Sequence, residues 1–238
     1  MQIKLDSHTH TLASGHAYST ILENAQAAAD KGLSLLAITD HAPGMIGSPT
    51  KAHFYNFKVL DRVLHGVEML YGIEADIIDF DGKISMEQEV LSRMDIGIAS
   101  FHEIVFRSGS KAENTRAYLG AMQTPGIAVI GHPDDGRIPL DYEALVVEAK
   151  RVGALLEVNN SSLSPGHHRQ NAWENYKEIL KLSEKHGALI TLGSDAHFAT
   201  AVGELDSALR LLEELQFPEE LVVNTDPARF KEILAKRK

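Results

Sequence analysis

Histidines and carboxylates that could bind metal ions recur along the chain in short motifs. The sequence contains 12 histidines and no cysteine, so imidazole nitrogens and carboxylate oxygens are the strong ligands that it offers to Zn²⁺, Mn²⁺ or Fe²⁺. His8 and His10 are separated by one residue, so in a strand both rings point to the same face and can hold one ion. The residues in such settings, which are the predicted metal ligands, are His8, His10, His16, His41, Glu74, His102, His132, Asp195 and His197.

The number of candidate ligands predicts the number of ions. A catalytic zinc ion usually takes three protein ligands and keeps one position for water. Nine ligands therefore predict three divalent ions per chain, with Glu74 or Asp195 free to bridge two of them. Clustered divalent ions lower the pKa of a bound water and neutralise the charge of a phosphate. The predicted chemistry is hydrolysis by a metal-activated hydroxide, with Asp195, His197 and Glu74 as candidate catalytic residues.

The elements that must position these residues alternate between short apolar runs and longer amphipathic runs, which is typical of βαβ units and a parallel sheet. The predicted strands span 2–7, 34–39, 67–74, 95–100, 127–131, 154–158 and 188–193. The predicted helices span 20–32, 52–64, 112–123, 141–152, 171–187, 203–215 and 226–236, with a small hairpin at 77–84. Nearly every strand is followed by a candidate ligand, and the C-terminal strand ends surround the active site in α/β folds. Periodicity alone leaves both a barrel and an open doubly wound sheet open.

Three further residues are candidates for contacts with a substrate. His53 and His168 lie in segments that could overhang the cleft, and loop residues above such a rim often carry function. Arg169 is a candidate phosphate ligand because the fork of a guanidinium group matches phosphate oxygens. The alternative interpretation of Arg169 is a solvated surface arginine.

Composition and charge exclude several classes of protein. The chain has 238 residues, of which 44% are hydrophobic and 24% are charged, and this predicts a single domain over 1–238. No apolar run is long enough for a membrane helix, and the N-terminus lacks the pattern of a signal peptide. The formal net charge of −10 disfavours duplex nucleic acid as a partner. We therefore expect a cytoplasmic protein with no membrane or duplex nucleic acid as partner; the sequence leaves a homo-oligomer open.

The metal-ligand motifs resemble those of a known family. Asp6-Ser7-His8-Thr9-His10-Thr11 is similar to the opening motif of the polymerase and histidinol phosphatase (PHP) superfamily. Its later motifs are matched in order by Thr39-Asp40-His41, Gly72-Ile73-Glu74, Ser100-Phe101-His102, Gly131-His132-Pro133 and Gly193-Ser194-Asp195-Ala196-His197. Segments 16–20, 111–115 and 157–162 resemble in particular its small stand-alone, YcdX-like phosphatases.

This resemblance implies a distorted, TIM-like seven-stranded βα barrel that holds a trinuclear metal cluster. The implied ligand groups are His8, His10, Glu74 and Asp195 for one ion, Glu74, His102 and His132 for a second, and His16, His41 and His197 for the third. Zinc is the first expectation for the metal, with manganese and iron as alternatives.

The expected function is hydrolysis of a phosphomonoester on a small molecule. Phosphodiesterase or nuclease activity and histidinol-phosphatase activity at the same site are the alternatives. Amide hydrolysis is disfavoured, because the positions that carry a lysine and a histidine in amidohydrolase barrels are occupied by Ser100-Phe101-His102 and Asn159-Asn160. Outside enzymes, the alternatives are a metal-storage or metal-sensing protein and a degenerate scaffold. A complete ligand set on rigid strand ends favours catalysis over both.

Overall fold

The computed structural model describes residues 1–238, and parallel strands form its centre. The strands are β1 (Leu5–Asp6), β2 (Leu35–Ile38), β3 (Val63–Leu64), β4 (Val67–Tyr71), β5 (Ile73–Asp76), β6 (Gly97–Ser100), β7 (Ile127–Ile130), β8 (Leu155–Asn159) and β9 (Ile190–Gly193). Neighbouring strands pair in parallel, except that β3 runs antiparallel to β4. The prediction of a single-domain α/β fold with parallel strands is confirmed.

Helices follow most of the strands. They are α1 (Ile21–Asp30), α2 (Lys51–Tyr55), α3 (Gln88–Leu91), α4 (Lys111–Ala121), α5 (Tyr142–Val152), α6 (Asn160–Leu163), α7 (Ala172–His186), α8 (Asp206–Glu214) and α9 (Pro227–Lys236). Thr20 and Glu23 form a capping box at the start of α1, and Asp226 caps α9. These side chains satisfy amide groups that a helix end leaves without partners, so the helix starts are encoded locally. None of the helices is long and apolar enough to cross a membrane.

The strand ladders divide into two sheets, with the orders β1-β2-β4-β3 and β5-β6-β7-β8-β9. The closed seven-stranded barrel implied by the resemblance is therefore not present. The chain passes from one sheet to the other at Gly72, because Tyr71 pairs with β2 while Ile73 pairs with β6. A Cβ atom at Gly72 would lie 2.2 Å from the backbone oxygen of Ile96, so this close approach of two backbones requires glycine.

Side chains take the place of a continuous strand ladder between β1 and β9. The buried Asn224 side chain accepts a hydrogen bond from the Leu192 amide at 2.7 Å and donates to the carbonyl oxygens of Leu192 and Leu5 at 2.8 and 3.0 Å. The two segments form a backbone bridge only beyond the strand ends, between Thr9 and Ala196. The Asn224 side chain thus occupies backbone groups of Leu5 and Leu192 that a β1–β9 ladder would pair. The edges of the two sheets therefore meet here without forming a continuous sheet.

A small apolar cluster fills the end of the fold opposite the strand C-termini. Its 12 buried residues include Leu5, Leu35 and Leu155 at the starts of their strands, together with Phe230 and Leu234 of α9. A larger cluster of 51 buried residues packs the strands against the other helices. Burial of this apolar surface is the dominant favourable contribution to folding. With α9 packed at the N-terminal strand ends, the C-terminal strand ends remain available for a functional site.

The helix predicted over 52–64 is shorter in the structure. The α-helix ends at Tyr55, a 3₁₀ turn spans Asn56–Val59, and Val63–Leu64 pairs with β4 as a strand. The connecting residues His65 and Gly66 both have positive φ angles, 50° and 83°, as in the two-residue turns that match the twist of a hairpin. The turn reverses the chain so that β3 pairs with β4. The helical periodicity of the sequence could not predict this pairing.

The hairpin predicted over 77–84 is present as a single antiparallel bridge between Ile77 and Ile84. Gly82 has a φ angle of 87°, which is the left-handed conformation that glycine adopts without strain. A Cβ atom there would lie 2.3 Å from the Ala121 amide nitrogen, so the turn packs directly against the end of α4.

Candidate metal centre

All nine predicted ligands lie together, eight of them in segments that follow the C-terminal ends of strands and Glu74 within β5. The ring centroids of His8 and His132 are 6.1 Å apart, and those of His16 and His197 are 4.7 Å apart. The sets whose ligand atoms all lie within 4.8 Å of one another are His10, His41 and His197; His8, His10 and Glu74; and His41, Glu74 and His102. The first two of these sets share His10 and the last two share Glu74, so the ligands form one connected cluster.

Glu74 lies at the centre of this cluster. Its Oε1 atom is 2.9 Å from His132 Nε2 and 3.5 Å from His102 Nε2, while its Oε2 atom is 2.8 Å from His41 Nδ1 and 3.4 Å from His8 Nε2. Glu74 Oε2 and His41 Nδ1 are both buried, and neither makes a hydrogen bond despite their short separation. A buried carboxylate oxygen that makes no hydrogen bond and has imidazole nitrogens around it is suited to bind a cation together with them.

The hydrogen bonds of four histidines fix which ring nitrogen faces the centre. In each, Nδ1 contacts an acceptor that is not one of the candidate ligand atoms, so the neutral ring carries its proton on Nδ1 and turns the Nε2 lone pair inward. The contacts are His8 Nδ1 with Glu157 Oε1 at 2.7 Å, His102 Nδ1 with Asp76 Oδ1 at 2.7 Å, His10 Nδ1 with Ser14 Oγ at 3.2 Å, and His197 Nδ1 with the Asp195 carbonyl oxygen at 2.9 Å.

Two pairs of ring nitrogens face each other at the same short distance. His8 Nε2 lies 3.0 Å from His10 Nε2, and His197 Nε2 lies 3.0 Å from His16 Nε2. In the tautomers set by the outer hydrogen bonds, neutral rings would turn both lone pairs of the first pair toward each other, so this contact requires either a proton on His8 or a metal ion between the two nitrogens. The donor set therefore fits divalent metal ions of the zinc type, which take imidazole nitrogen and carboxylate oxygen.

The electrostatics of the cluster favour the ionised carboxylates and the neutral His10 ring that metal binding requires, whereas His8 keeps a proton that a metal ion would displace. Burial opposes ionisation of Glu74, but His41 and His8 outweigh it and lower the pKa of this carboxyl well below its usual range. The pKa of Asp195 is lowered in the same way against burial, first by His8 and then by His10. Burial and the neighbouring His41 lower the pKa of His10 to about 3. Near neutral pH the two carboxylates are thus ionised and His10 is neutral, as metal ligands must be.

A buried glutamate that the sequence analysis did not select, Glu157, joins two ligands. Its Oε1 atom accepts from His8 Nδ1 and its Oε2 atom accepts from the His132 backbone amide, both at 2.7 Å. A Cβ atom at Gly193 would lie 2.1 Å from Glu157 Oε1, so the glycine makes room for this carboxylate. A charged side chain among the apolar residues Leu155, Leu156 and Val158 of β8 was the available sequence signal, because such a residue is rarely buried without a partner.

Asp40 supports a second group of ligands and was likewise not selected from the sequence. It accepts hydrogen bonds from the Thr11 amide and from Ser14 Oγ, both at 2.7 Å, and Ser14 Oγ in turn contacts His10 Nδ1. His53 Nε2 lies 3.3 Å from Asp40 Oδ2. His53 is therefore attached to the outer support of the cluster and is not among the residues that line the cleft above it.

Two ligands have backbone conformations that residues other than glycine rarely adopt. The φ angles are 28° at His132 and 54° at Asp195. Such strain persists where surrounding contacts hold the residue in place, and it is frequent at functional sites. For His132, the hydrogen bond from its amide to Glu157 is one such contact.

An open cleft of about 1130 Å³ lies above the cluster. Five ligands line it, namely His16, His41, His102, Asp195 and His197, whereas Glu74 lies below them with a relative exposure of 1%. The volume is large enough for a small organic molecule beside the cluster. Any molecule in this cleft therefore meets ligand side chains directly.

Arg169 and His168 line the same cleft. The guanidinium group of Arg169 is buried; it donates to Ser162 Oγ at 2.7 Å and to Asp195 Oδ2 at 3.4 Å. These partners exclude the alternative of a solvated surface arginine and place a fixed positive charge beside the cluster. Most of the His168 side chain is exposed, but the partial burial of its ring and the nearby Arg169 lower its pKa, which favours the neutral imidazole.

A parallel α/β fold that gathers seven histidines and two carboxylates around the C-terminal ends of its strands is typical of metal-binding proteins. The sequence profile of the PHP domain matches residues 6–235, and the chain belongs to this family. The motif resemblance found in the sequence is thereby confirmed.

Comparisons with known proteins give the same result over the whole chain. A protein of Acetivibrio thermocellus named "Probable phosphatase" is 42% identical over 238 residues, which cover 100% of this chain and 98% of that protein. A protein of Photobacterium profundum, also named a probable phosphatase, is 41% identical over 237 residues, 100% of this chain and 96% of that protein. The fold is similar to the crystal structure of histidinol phosphate phosphatase from Lactococcus lactis complexed with zinc, L-histidinol and phosphate, with a TM-score of 0.60 at 20% identity, covering 90% of this chain and 94% of that one.

Proposed function

We propose that this protein hydrolyses phosphomonoesters of small molecules at a site that holds three divalent ions, with zinc as the preferred metal. The observation that carries the proposal is the floor of the cleft, where inward-facing imidazole nitrogens and two ionised carboxylates adjoin the buried Arg169. The names of the PHP relatives as phosphatases support the same chemistry. A cation-binding floor next to a fixed guanidinium group suits a small dianionic ligand.

Divalent ions bound by these ligands would supply hydroxide near neutral pH and neutralise the charge of the phosphate. Hydrolysis forms a bond from the oxygen of water to phosphorus, breaks the bond from phosphorus to the ester oxygen, and delivers a proton to the departing alcohol. Asp195 and His197 line the cleft, so they can hold the attacking water and exchange its proton. Glu74 is buried below them, and its catalytic contribution is to connect the ligand groups.

Arg169 is proposed to bind the phosphate oxygens. Its hydrogen bonds to Ser162 and Asp195 fix the guanidinium group before substrate arrives, so little rotational freedom is lost on binding. His168, kept neutral by its lowered pKa, can donate a hydrogen bond to the phosphate or to the ester oxygen. His53 contacts Asp40 instead, so its position supports a role in holding the ligands rather than the contact with substrate that the sequence suggested.

The test of this function compares kcat/KM for a phosphomonoester with that for its methyl diester on metal-replete protein. Histidinol phosphate belongs in the panel because the Lactococcus lactis structure contains L-histidinol and phosphate. We expect the monoester to be favoured by tenfold or more, because a dianion neutralises a polynuclear cationic floor better than a monoanion. A diester favoured by the same factor would establish a phosphodiesterase instead.

Asp195→Asn tests the role of the site in the same assay. We expect turnover to fall by orders of magnitude while the protein stays folded, since the substitution removes a charge and a ligand but little volume. Asp30→Asn, at an exposed position on α1, is the matched control and should leave turnover unchanged. Equal turnover in the two variants would remove Asp195 from the mechanism.

A further inference from the structure

The cleft carries an exposed apolar rim that the proposed chemistry does not use. Ten large hydrophobic residues are exposed in the whole chain, and four of them line this cleft. They are Tyr18, Ile46, Ile104 and Phe198, with relative exposures of 70%, 73%, 65% and 52%, and we call them the apolar rim. Single exposed hydrophobic residues are common on protein surfaces, but a cluster of them at one cleft marks a binding site.

Each rim residue comes from a different loop, and each of these loops also carries a metal ligand. Tyr18 lies two residues after His16, Ile104 lies two residues after His102, and Phe198 directly follows His197. Ile46 is in the loop that begins with His41. Four loops that hold the cluster therefore also place an apolar side chain at the mouth of the same cleft.

We propose that the apolar rim binds the organic part of the substrate, so that this protein selects phosphomonoesters whose alcohol presents an apolar aryl or branched alkyl face. This inference rests on the proposed function. The rim and the ligands line one continuous cleft, so a phosphate on the floor leaves its organic part among the rim residues.

Apart from the candidate ligands, most polar residues of the cleft come from segments that carry no rim residue. They include Ser161, Ser164 and Arg169 after β8 and Asp206 at the start of α8. The cleft is thus divided between a polar side, where Ser161, Ser164 and Arg169 can donate hydrogen bonds to a phosphate, and apolar loops that suit a hydrocarbon group. If a second copy of the chain covered the rim, it would close the route to the metal ligands, so a small occupant is the one compatible with catalysis.

Binding of nonhydrolysable phosphonates tests the role of the apolar rim without requiring catalysis. Calorimetry on zinc-loaded protein should show that benzylphosphonate binds about tenfold or more tightly than methylphosphonate, the discrimination typical of added apolar groups in a pocket. Equal affinities of the two phosphonates would overturn the inference while leaving the phosphatase proposal intact. Failure to bind either phosphonate and to hydrolyse any monoester would overturn the proposed function, and this inference with it.

Variants then assign the selectivity to the rim. Ile104→Ser combined with Phe198→Ser should reduce the affinity for benzylphosphonate about tenfold, with less than a twofold change for methylphosphonate. Val147→Ser, which removes an exposed apolar side chain on α5 outside the cleft, is the matched control and should change neither. An equal loss for both phosphonates would overturn the proposal, as would a rim variant that converts an oligomer into monomers, which would make the rim an interface between copies.

Discussion

Glu157→Gln tests whether the buried glutamate positions the metal ligands. The carboxylate accepts hydrogen bonds from His8 Nδ1 and from the His132 amide, both at 2.7 Å. Glutamine keeps the shape of the side chain but offers one accepting oxygen, so one of these two donors would face an NH₂ group. The backbone conformation of His132, with a φ angle of 28°, would lose one of the contacts that hold it.

The expected loss can be estimated in two independent ways. Removing an outer hydrogen-bond partner of a metal ligand typically costs about 10–100-fold in metal affinity, which corresponds to about 1.4–2.8 kcal/mol at about 1.4 kcal/mol per tenfold. A hydrogen bond to a charged group contributes about 1.5–3 kcal/mol. The two ranges agree, so we expect zinc affinity to fall by about one to two orders of magnitude.

The assay is titration of metal-free protein with zinc in competition with a chromophoric chelator. This measures affinity directly and does not depend on activity. Glu148→Gln is the matched control, because Glu148 is a glutamate paired with Arg151 on α5, away from the cluster. Zinc affinity of Glu157→Gln within threefold of both the control and the parent protein would refute the positioning role.

Four further predictions concern the same protein. Elemental analysis of protein purified without chelator should show two or more metal equivalents and approach three after reconstitution; a value near zero with chelator-insensitive activity would contradict the metal proposal. Burial acts to lower the pKa of His8, but Glu157 and Glu74 outweigh it and raise the pKa well above the usual range, so metal-free protein keeps a proton there that zinc must displace. Proton release on zinc binding, measured by calorimetry in buffers of different ionisation enthalpy, should therefore be observed at neutral pH, and zinc affinity should fall as the pH is lowered; pH-independent affinity between pH 5 and 8 would contradict this. Arg169→Ala should raise KM more than it lowers kcat, since it removes a binding group, and steady-state kinetics with the reverse pattern would exclude a role in substrate binding. Asn224→Ala should lower the free energy of unfolding by about 3 kcal/mol, because it leaves buried backbone groups of Leu192 and Leu5 without partners; a change below about 0.5 kcal/mol in urea denaturation would show that water replaces the side chain.

Local features of the sequence predicted much of the site. The candidate ligands could be found because each follows an apolar run, and the C-terminal ends of parallel strands meet at one edge. The helices predicted over 20–32 and 226–236 begin in the structure at Ile21 and Pro227, each directly after a capping residue. These are properties of a few adjacent residues, so the sequence alone carries them.

Contacts between distant segments could not be predicted in the same way. Glu157 accepts a hydrogen bond from His8, which lies 149 residues away in the sequence. The residues around either position do not indicate that the two are in contact. Val63 and Leu64 continue a helical pattern, yet they pair with β4 because the turn at His65 and Gly66 returns the chain. In both cases a contact with a segment distant in the sequence, and not local propensity, determined the structure.

The sequence by itself determined which side chains could bind metal and that parallel strands would gather them, since both follow from residue type and periodicity. Only the tertiary structure decided which nitrogen of each imidazole faces inward, because acceptors such as Asp76 and Glu157 set the tautomer through contacts with distant residues. It also decided that the sheets do not close into a barrel. Asn224 reaches Leu5 across 219 residues and takes the hydrogen bonds of the strand edge, and the spacing of residues along the chain does not encode a contact of that kind.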